Sequence, residues 1–158
     1  MNLRQRKPNR ITGYDYSNQN YYFVTICTQD KRCLFGSPSA PSIYGNIART
    51  ELEGLSSHYD RVSVEAFVVM PNHIHAIIII GCDMSIQAEQ KLPDLSTIVG
   101  LYKSGVARKI HAFAPDVKVW QKSFYDHIIR SRNAHCKILR YIEENPVKWQ
   151  EDRFYSPI

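Results

Sequence analysis

Two histidines near the middle of the chain could bind a metal ion. His73 and His75 are separated by one residue, so on a β-strand both side chains leave the same face. They follow Pro71 and Asn72, a pair suited to a tight turn where a ligand can reach neighbouring side chains. Neutral imidazole is a common metal ligand, but a His-x-His pair also occurs as ordinary polar residues beside a turn. The spacing alone leaves both interpretations open.

A tyrosine and an asparagine further along the chain form a second candidate pair. Tyr141 and Asn145 are four residues apart, so on a helix they lie on one face and can address the same point in space. A phenol can act as a nucleophile, and a carboxamide oxygen can bind a metal. A tyrosine on a helix also commonly packs its ring at the edge of a core, and that interpretation stays open for Tyr141.

Hydrophobic patterns predict the elements that must position these residues. Residues 62–70 and 73–81 are two strand-like runs separated by two turn residues, which predicts an antiparallel hairpin. The second run is apolar at nearly every position beyond the histidines, as expected of a central strand covered on both faces. Further strands are predicted at 21–28 and 118–129, and helices at about 46–59, after Asp94 or Ser96, and at about 133–144.

The order of these elements is strand, helix, two strands, helix, strand and helix. That order predicts an α+β fold with a ferredoxin-like antiparallel sheet and helices packed mainly on one face. A chain of 158 residues suits one compact domain. We therefore expect residues 1–158 to form a single domain, with any active site built from one fold or shared between copies.

Charge and cysteine content indicate the class of partner and the compartment. The formal net charge is +5, which favours a polyanionic partner such as nucleic acid. The four cysteines form no Cys-x-x-Cys pair, and the longest apolar run, Ala76 to Ile80, is too short to span a membrane. We therefore expect a cytoplasmic protein without membrane association. Candidate DNA-contacting residues are Lys103, Arg108, Lys109, Lys122, Arg130 and Arg132, with a basic arm formed by Arg4, Arg6, Lys7 and Arg10.

Three longer segments contain the candidate residues in a recurring order. They are Met70–His75 (MPNHIH), Trp120–Arg130 (WQKSFYDHIIR) and Tyr141–Lys148 (YIEENPVK). Together with Gly13–Tyr16 (GYDY) and Tyr22–Thr25 (YFVT), they resemble the HUH-type single-tyrosine transposases, in particular the REP-associated tyrosine transposases. The resemblance runs over nearly the whole chain.

This resemblance implies a role for each candidate residue. His73 and His75 would bind a divalent metal, Tyr141 would attack single-stranded DNA, and Asn145 would be the third metal ligand. Mixed nitrogen and oxygen ligation suits Mg²⁺ or Mn²⁺. The product would be a 5′-phosphotyrosine link, which a 3′ hydroxyl could reverse to rejoin strands. The resemblance also implies a hairpin-forming DNA partner and a possible homodimer, but it gives His127 no role.

Two other functions remain open at this stage. One is a non-catalytic ferredoxin-like module that binds nucleic acid through basic residues and stacking tyrosines. The other is a metal-dependent hydrolase of small phosphoesters. Covalent attachment of DNA to the protein would separate the transposase from both.

Overall fold

A four-stranded antiparallel sheet forms the centre of the computed structural model, which describes residues 11–16, 18–81 and 91–158. In spatial order its strands are β4 (Val62–Met70), β5 (His73–Ile80), β1 (Asn20–Cys27) and β6 (Tyr125–Ile129). Two short strands, β2 (Gly36–Ser37) and β3 (Ala40–Pro41), form a separate ribbon. The basic arm at residues 1–10 and the cysteine at position 82 lie outside the described residues.

The predicted hairpin is confirmed as strands β4 and β5. Met70 pairs with His73 across the two-residue turn, so the two histidines lie at the start of β5. Strand β5 also pairs with β1, which places it in the sheet interior. Its buried apolar residues agree with the predicted central strand.

Three α-helices cover the sheet, and each begins at a polar residue that accepts a backbone N–H at its start. They are α1 (Ile43–Glu53), α2 (Leu95–His111) and α3 (Arg132–Glu144). The capping side chains are Ser42, Asp94 and Ser131. Such caps satisfy backbone donors that have no partner within the helix. Asp94 is thus confirmed as the cap of α2.

The alternation of side chains along the strands separates two cores. Tyr22, Val24 and Ile26 of β1 point towards α1 and α2 and join the larger core. Phe23 points to the opposite face, where a smaller cluster packs beneath α3. Two helices therefore share one face, as the α+β prediction requires, while α3 lies on the other. None of the helices in the described ranges has both the length and the apolar character needed to cross a bilayer.

Two predicted elements differ from those observed. The predicted strand at 118–129 is wrong in its first half, because only Trp120 forms an isolated bridge, to Thr28, before β6 begins at Tyr125. Ser123 between them has a φ of 69°, a left-handed conformation that breaks a strand. The helix predicted at about 46–59 begins at Ile43 and ends at Glu53, and a short 3₁₀ turn continues over 55–58.

Candidate active site

His73 and His75 lie side by side on the sheet face that α3 covers. Their ring centroids are 4.5 Å apart. The sequence suggested histidines open to ligands beside a turn, yet their exposed fractions are only 0% and 2%. The segment after α3 covers them, since the Phe154 ring lies 4.7 Å from the His73 ring. The histidines are therefore part of a largely enclosed site.

Each histidine is oriented by a hydrogen bond to its Nδ1 atom. Asn72 Oδ1 lies 2.8 Å from His73 Nδ1. Because Asn72 Nδ2 donates to the carbonyl oxygens of Lys31 and Phe154, its Oδ1 is the acceptor, and His73 Nδ1 carries the proton. Thr25 Oγ1 lies 2.8 Å from Nδ1 of His75. Both Nε2 atoms therefore face the site. In metal-binding histidines, a hydrogen bond to one ring nitrogen commonly orients the other nitrogen towards the metal.

Burial keeps both imidazoles neutral at physiological pH. Removal from water lowers the pKa of His73 to about 4, with the nearby Asp152 carboxylate acting in the opposite direction. Burial, assisted by His73, lowers the pKa of His75 to about 3. A neutral imidazole offers a free lone pair, so both residues are in the protonation state that metal binding needs.

The structure brings the second predicted pair to the same place. Tyr141 and Asn145 lie on α3 and at its C-terminal cap, on the side that faces the sheet. The Tyr141 hydroxyl is 3.2 Å from His75 Nε2, and Asn145 is buried. All four residues predicted from the sequence thus belong to one site within a single chain.

A carboxylate that the sequence did not indicate completes this site. Asp152 Oδ2 accepts hydrogen bonds from the Tyr141 hydroxyl at 3.3 Å and from Asn145 Nδ2 at 2.8 Å, and it lies 3.9 Å from His73 Nε2. Possible ligand atoms of His73, His75 and Asp152 all lie within 4.8 Å of one another. The site therefore joins two imidazoles, a carboxylate and a phenol.

The Asp152 carboxylate is ionised in this environment. Burial alone would raise its pKa, but the Phe154 backbone N–H, the Asn145 amide and the histidines together lower it. The same negative charge acts on the phenol: burial and then Asp152 raise the pKa of Tyr141. Ionisation of Tyr141 is therefore unfavourable until a positive charge or a proton acceptor offsets the carboxylate.

Two buried atoms at the site have no hydrogen-bond partner among the described residues. They are Nε2 of His73 and Oδ1 of Asn145. Buried polar atoms are normally paired, because an unpaired one loses its hydration without compensation. His73 Nε2 offers a lone pair 3.9 Å from Asp152 Oδ2, and Asn145 Oδ1 belongs to the amide whose Nδ2 donates to Asp152, so both atoms are available to a bound cation. His73, His75 and Asp152 are the residues that could hold the metal, with Asn145 as a further oxygen donor.

Three residues of this site were missed as functional residues in the sequence. Asn72 was interpreted only as a turn residue and Thr25 only as part of a strand, because their roles arise from contacts with distant residues. Asp152 follows the last helix by eight residues. No helical or strand spacing links it to Tyr141, and its contribution could be found only by locating the segment that folds back over the histidines.

Several predicted DNA-contacting residues lie away from this site. Lys103, Arg108 and Lys109 belong to α2, on the opposite face of the sheet. Lys103 Nζ donates to the Gln121 and Ser123 carbonyls, and Lys109 pairs with Glu51. These two lysines therefore have structural partners, whereas two exposed cations, Lys31 and Arg153, lie beside the histidines instead.

Sequence comparison finds related proteins in Haemophilus influenzae. One, described only as an uncharacterized protein, is 32% identical over 97% of this chain and 94% of its own length. Another, provisionally named a REP-associated tyrosine transposase, is 24% identical over 85% of this chain and 74% of its own length. No protein-family profile matches the chain.

Solved structures share the fold. A REP-associated tyrosine transposase bound to a REP hairpin superimposes with a TM-score of 0.62 at 22% identity, covering 90% of this chain and 74% of that one. A protein of Deinococcus radiodurans, provisionally named a transposase, has a TM-score of 0.52 at 18% identity, covering 85% of this chain and 95% of its own. The resemblance seen in the sequence motifs is thereby confirmed.

Proposed function

We propose that this protein cleaves and rejoins single-stranded DNA through Tyr141. The chain belongs to the same family as the 32% identical Haemophilus influenzae protein. It also resembles REP-associated tyrosine transposases in its motifs and its fold. The single observation that carries this proposal is the position of the Tyr141 hydroxyl, 3.2 Å from His75 Nε2 and 3.3 Å from Asp152 Oδ2. Both partners are candidate metal ligands, so the phenol oxygen lies beside the position that a bound ion would take.

A divalent metal, Mg²⁺ or Mn²⁺, is the cofactor of the proposed reaction. His73, His75 and Asp152 would hold it, and Asn145 Oδ1 would supply a further ligand atom. Two nitrogens with carboxylate and amide oxygens suit Mn²⁺ well and allow Mg²⁺. When bound, such an ion withdraws charge from a phosphate oxygen and so makes the phosphorus easier to attack.

The residues of the chain account for the bond changes. The Tyr141 oxygen attacks phosphorus, and the bond between phosphorus and the DNA 3′ oxygen breaks. The 5′ phosphate of the downstream strand then remains attached to the phenol. Because Asp152 is assigned to the metal, the phenolic proton of the partly exposed Tyr141 passes to solvent water. A water molecule protonates the departing 3′ oxygen, which leaves as a free 3′ hydroxyl, so no net proton is gained or lost in the step. Attack by a 3′ hydroxyl on the phosphotyrosine reverses these changes and joins strands without another energy source.

The proposed DNA partner is a single strand that can form a hairpin. One protein with this fold is described as bound to a REP hairpin. The net charge of +5 suits a polyanion, and exposed Arg153 and Lys31 flank the histidines where a scissile phosphate would lie. A homodimer is compatible with this proposal but is not needed to complete the site, since the nucleophile and the metal ligands come from one chain.

Covalent trapping of DNA tests the proposal directly. The full chain is incubated with 3′-end-labelled random-sequence single strands and Mn²⁺, so that the label stays on the fragment whose 5′ phosphate joins the protein. Labelled protein is then separated in a denaturing gel. We expect a covalent adduct that Tyr141→Phe and EDTA both abolish. Sequencing of the trapped strands would then identify the preferred site.

A matched control uses a tyrosine away from the site. Tyr44→Phe changes a tyrosine of α1 that stacks on Phe113 on the opposite face of the sheet, and it should form the adduct normally. An adduct that persists in Tyr141→Phe would remove Tyr141 as the nucleophile. DNA binding without any adduct from the wild-type chain would favour the non-catalytic binding module instead.

A further inference from the structure

Helix α3 leaves part of the sheet face that carries the histidines exposed, although its His135 ring lies 5.4 Å from the Tyr21 ring at the edge of that part. Residues of β1 and β6 that share this face form successive cross-strand rows. His75, Thr25 and Tyr125 form the first row, Phe23 and His127 the second. Tyr21 and Ile129 form the third, and α3 packs mainly over β4 instead. We call Tyr125, Phe23, His127 and Tyr21 the aromatic strip.

The aromatic strip is open to solvent and begins at the nucleophile. Tyr125 and Tyr21 are 42% and 40% exposed, and His127 is also exposed. Phe23 is half-buried and joins the strip to the site, because its ring lies 5.2 Å from the His75 ring and 6.2 Å from the Tyr141 ring. Three of the five exposed tyrosine and phenylalanine rings in the described residues, Tyr21, Tyr125 and Tyr141, therefore lie on this one face.

The length of the strip matches a short piece of DNA. Tyr125 is two strands away from His75 in the same row, roughly 10 Å at the usual strand spacing. From the first row to the third the strip runs four residues along β1, roughly 14 Å. At roughly 3.4 Å per stacked nucleotide, this distance accommodates about four bases, and fewer if the strand is stretched.

The far end of the strip opens into a basic cleft. This cleft, of about 260 Å³, lies at the start of α3 and is lined by Tyr21, Ile129, Arg130, Ser131, Arg132 and His135. Both arginines are exposed. Guanidinium groups bind phosphate with several donors at once. The cleft thus places positive charge where a strand leaving the aromatic strip would carry its backbone.

We propose that the aromatic strip binds the bases of a single DNA strand that runs from the scissile phosphate at Tyr141 to the cleft at Arg130 and Arg132. This inference rests on the proposed function, because it takes the scissile phosphate to lie at Tyr141. Rings in line with basic groups suit single-stranded nucleic acid, whose bases are free to stack. Paired bases in a duplex present no such faces. The strip also provides a role for the Tyr125 and His127 motif, which the proposed chemistry leaves unused.

Binding of a fluorescein-labelled (dT)₁₂ strand tests the strip. Fluorescence anisotropy is measured with the full chain carrying Tyr141→Phe and Mg²⁺, so that binding is observed without cleavage. We expect Tyr125→Ala and His127→Ala each to weaken binding by about 5- to 150-fold, the usual effect of losing one stacked base. Tyr125→Trp should restore binding, because indole also stacks.

An exposed ring on the other face is the matched control. Phe113 is 51% exposed and stacks on Tyr44, away from the strip. Phe113→Ala should leave (dT)₁₂ affinity unchanged. A second measurement uses a strand with 5-iodouracil at each position in turn, and crosslinks should map to Tyr125 and Tyr21 when the strand is photoactivated.

The outcomes separate this inference from the proposed function. The proposal for the aromatic strip is overturned if (dT)₁₂ binds equally well to the Tyr125→Ala, His127→Ala and Phe113→Ala proteins. It is also overturned if the parent protein does not bind (dT)₁₂. Both results count whether or not the wild-type chain forms a DNA adduct. If (dT)₁₂ binding depends on the aromatic strip but the wild-type chain forms no adduct, the binding role of the strip is supported and the proposed chemistry is overturned.

Discussion

The two faces of the sheet differ in what they bury. The face beneath α1 and α2 buries a continuous apolar core, to which α2 alone contributes six buried residues. Helix α3 contributes only one, Ile142, to the opposite face. The buried polar residues of the described ranges all lie in or beside the candidate site: Thr25, Thr28, Asn72, His73, His75 and Asn145.

This difference shows how the chain separates stability from chemistry. Apolar burial supplies most of the favourable free energy of folding, whereas a buried polar group is unfavourable unless it is hydrogen-bonded. The α1–α2 face therefore supplies the larger share of the apolar stabilisation. The α3 face then accommodates histidines whose orientation depends on Thr25 and Asn72, and it holds Tyr141, the proposed nucleophile, on the less deeply packed helix.

The largest expected effect tests the division of stability between the faces. Ile98 of α2 is fully buried in the larger core, whereas Ile138 of α3 is only partly buried. Ile98→Ala should lower the free energy of unfolding by about 2–5 kcal/mol, and Ile138→Ala by less than about 2 kcal/mol. Urea denaturation measures both. Equal losses would mean that α3 contributes as much packing stability as α2.

A second experiment distinguishes the two oxygen donors on the α3 face. Asp152→Asn removes the negative charge and should weaken Mn²⁺ binding by about 100-fold, measured by electron paramagnetic resonance of free Mn²⁺. Asn145→Ala should weaken it by about 10-fold, since Asn145 also holds Asp152 through its Nδ2 atom. A larger loss of Mn²⁺ affinity in Asn145→Ala than in Asp152→Asn would make Asn145 the main oxygen ligand, as the family resemblance implied.

The buried histidines should make the apoprotein sensitive to acid. Their pKa values of about 4 and about 3 lie below the ordinary 6.5, so the unfolded chain binds more protons as pH falls below 6.5. Their contribution is complete above about pH 6.5 and is lost as pH falls. From about pH 7 to about pH 5.5, in EDTA, we expect a loss of roughly 1 kcal/mol for each histidine.

Urea denaturation of two histidine variants checks this pH dependence. His75→Gln should remove about half of the loss assigned to the two histidines. His58→Gln changes an exposed histidine outside the candidate site and should leave the loss intact. If His75→Gln left the pH dependence unchanged, burial of its imidazole would not be its source.

The last prediction concerns the orientation of His75. Thr25→Val replaces the hydroxyl with a methyl group of similar size and removes the partner of His75 Nδ1. We expect about a 10-fold loss of Mn²⁺ affinity. The free energy of unfolding should also fall by about 1–3 kcal/mol, because His75 Nδ1 then stays buried without a hydrogen-bond partner. Thr25→Ser keeps the hydroxyl and should bind Mn²⁺ nearly normally. A matching loss in Thr25→Ser would mean that the methyl group, and not the hydrogen bond, positions the ring.

Local patterns were sufficient to predict much of the fold. The hairpin of β4 and β5, the capped start of α2 and the α+β order depend on hydrophobic periodicity and on turn and capping residues, which act over a few positions. The strand predicted at 118–129 failed in its first half because Ser123 takes a left-handed conformation. Composition gave no indication of that break.

The sequence by itself determined which residues could do chemistry and on which elements they lie. Spacing put His73 and His75 on one strand face and Tyr141 with Asn145 on one helix face, since these periods are intrinsic to the backbone. Only the tertiary structure decided that the two pairs meet, that Asp152 joins them and that β1 and β6 leave an aromatic strip open. Those relations depend on packing between residues distant in the chain, which no local period encodes.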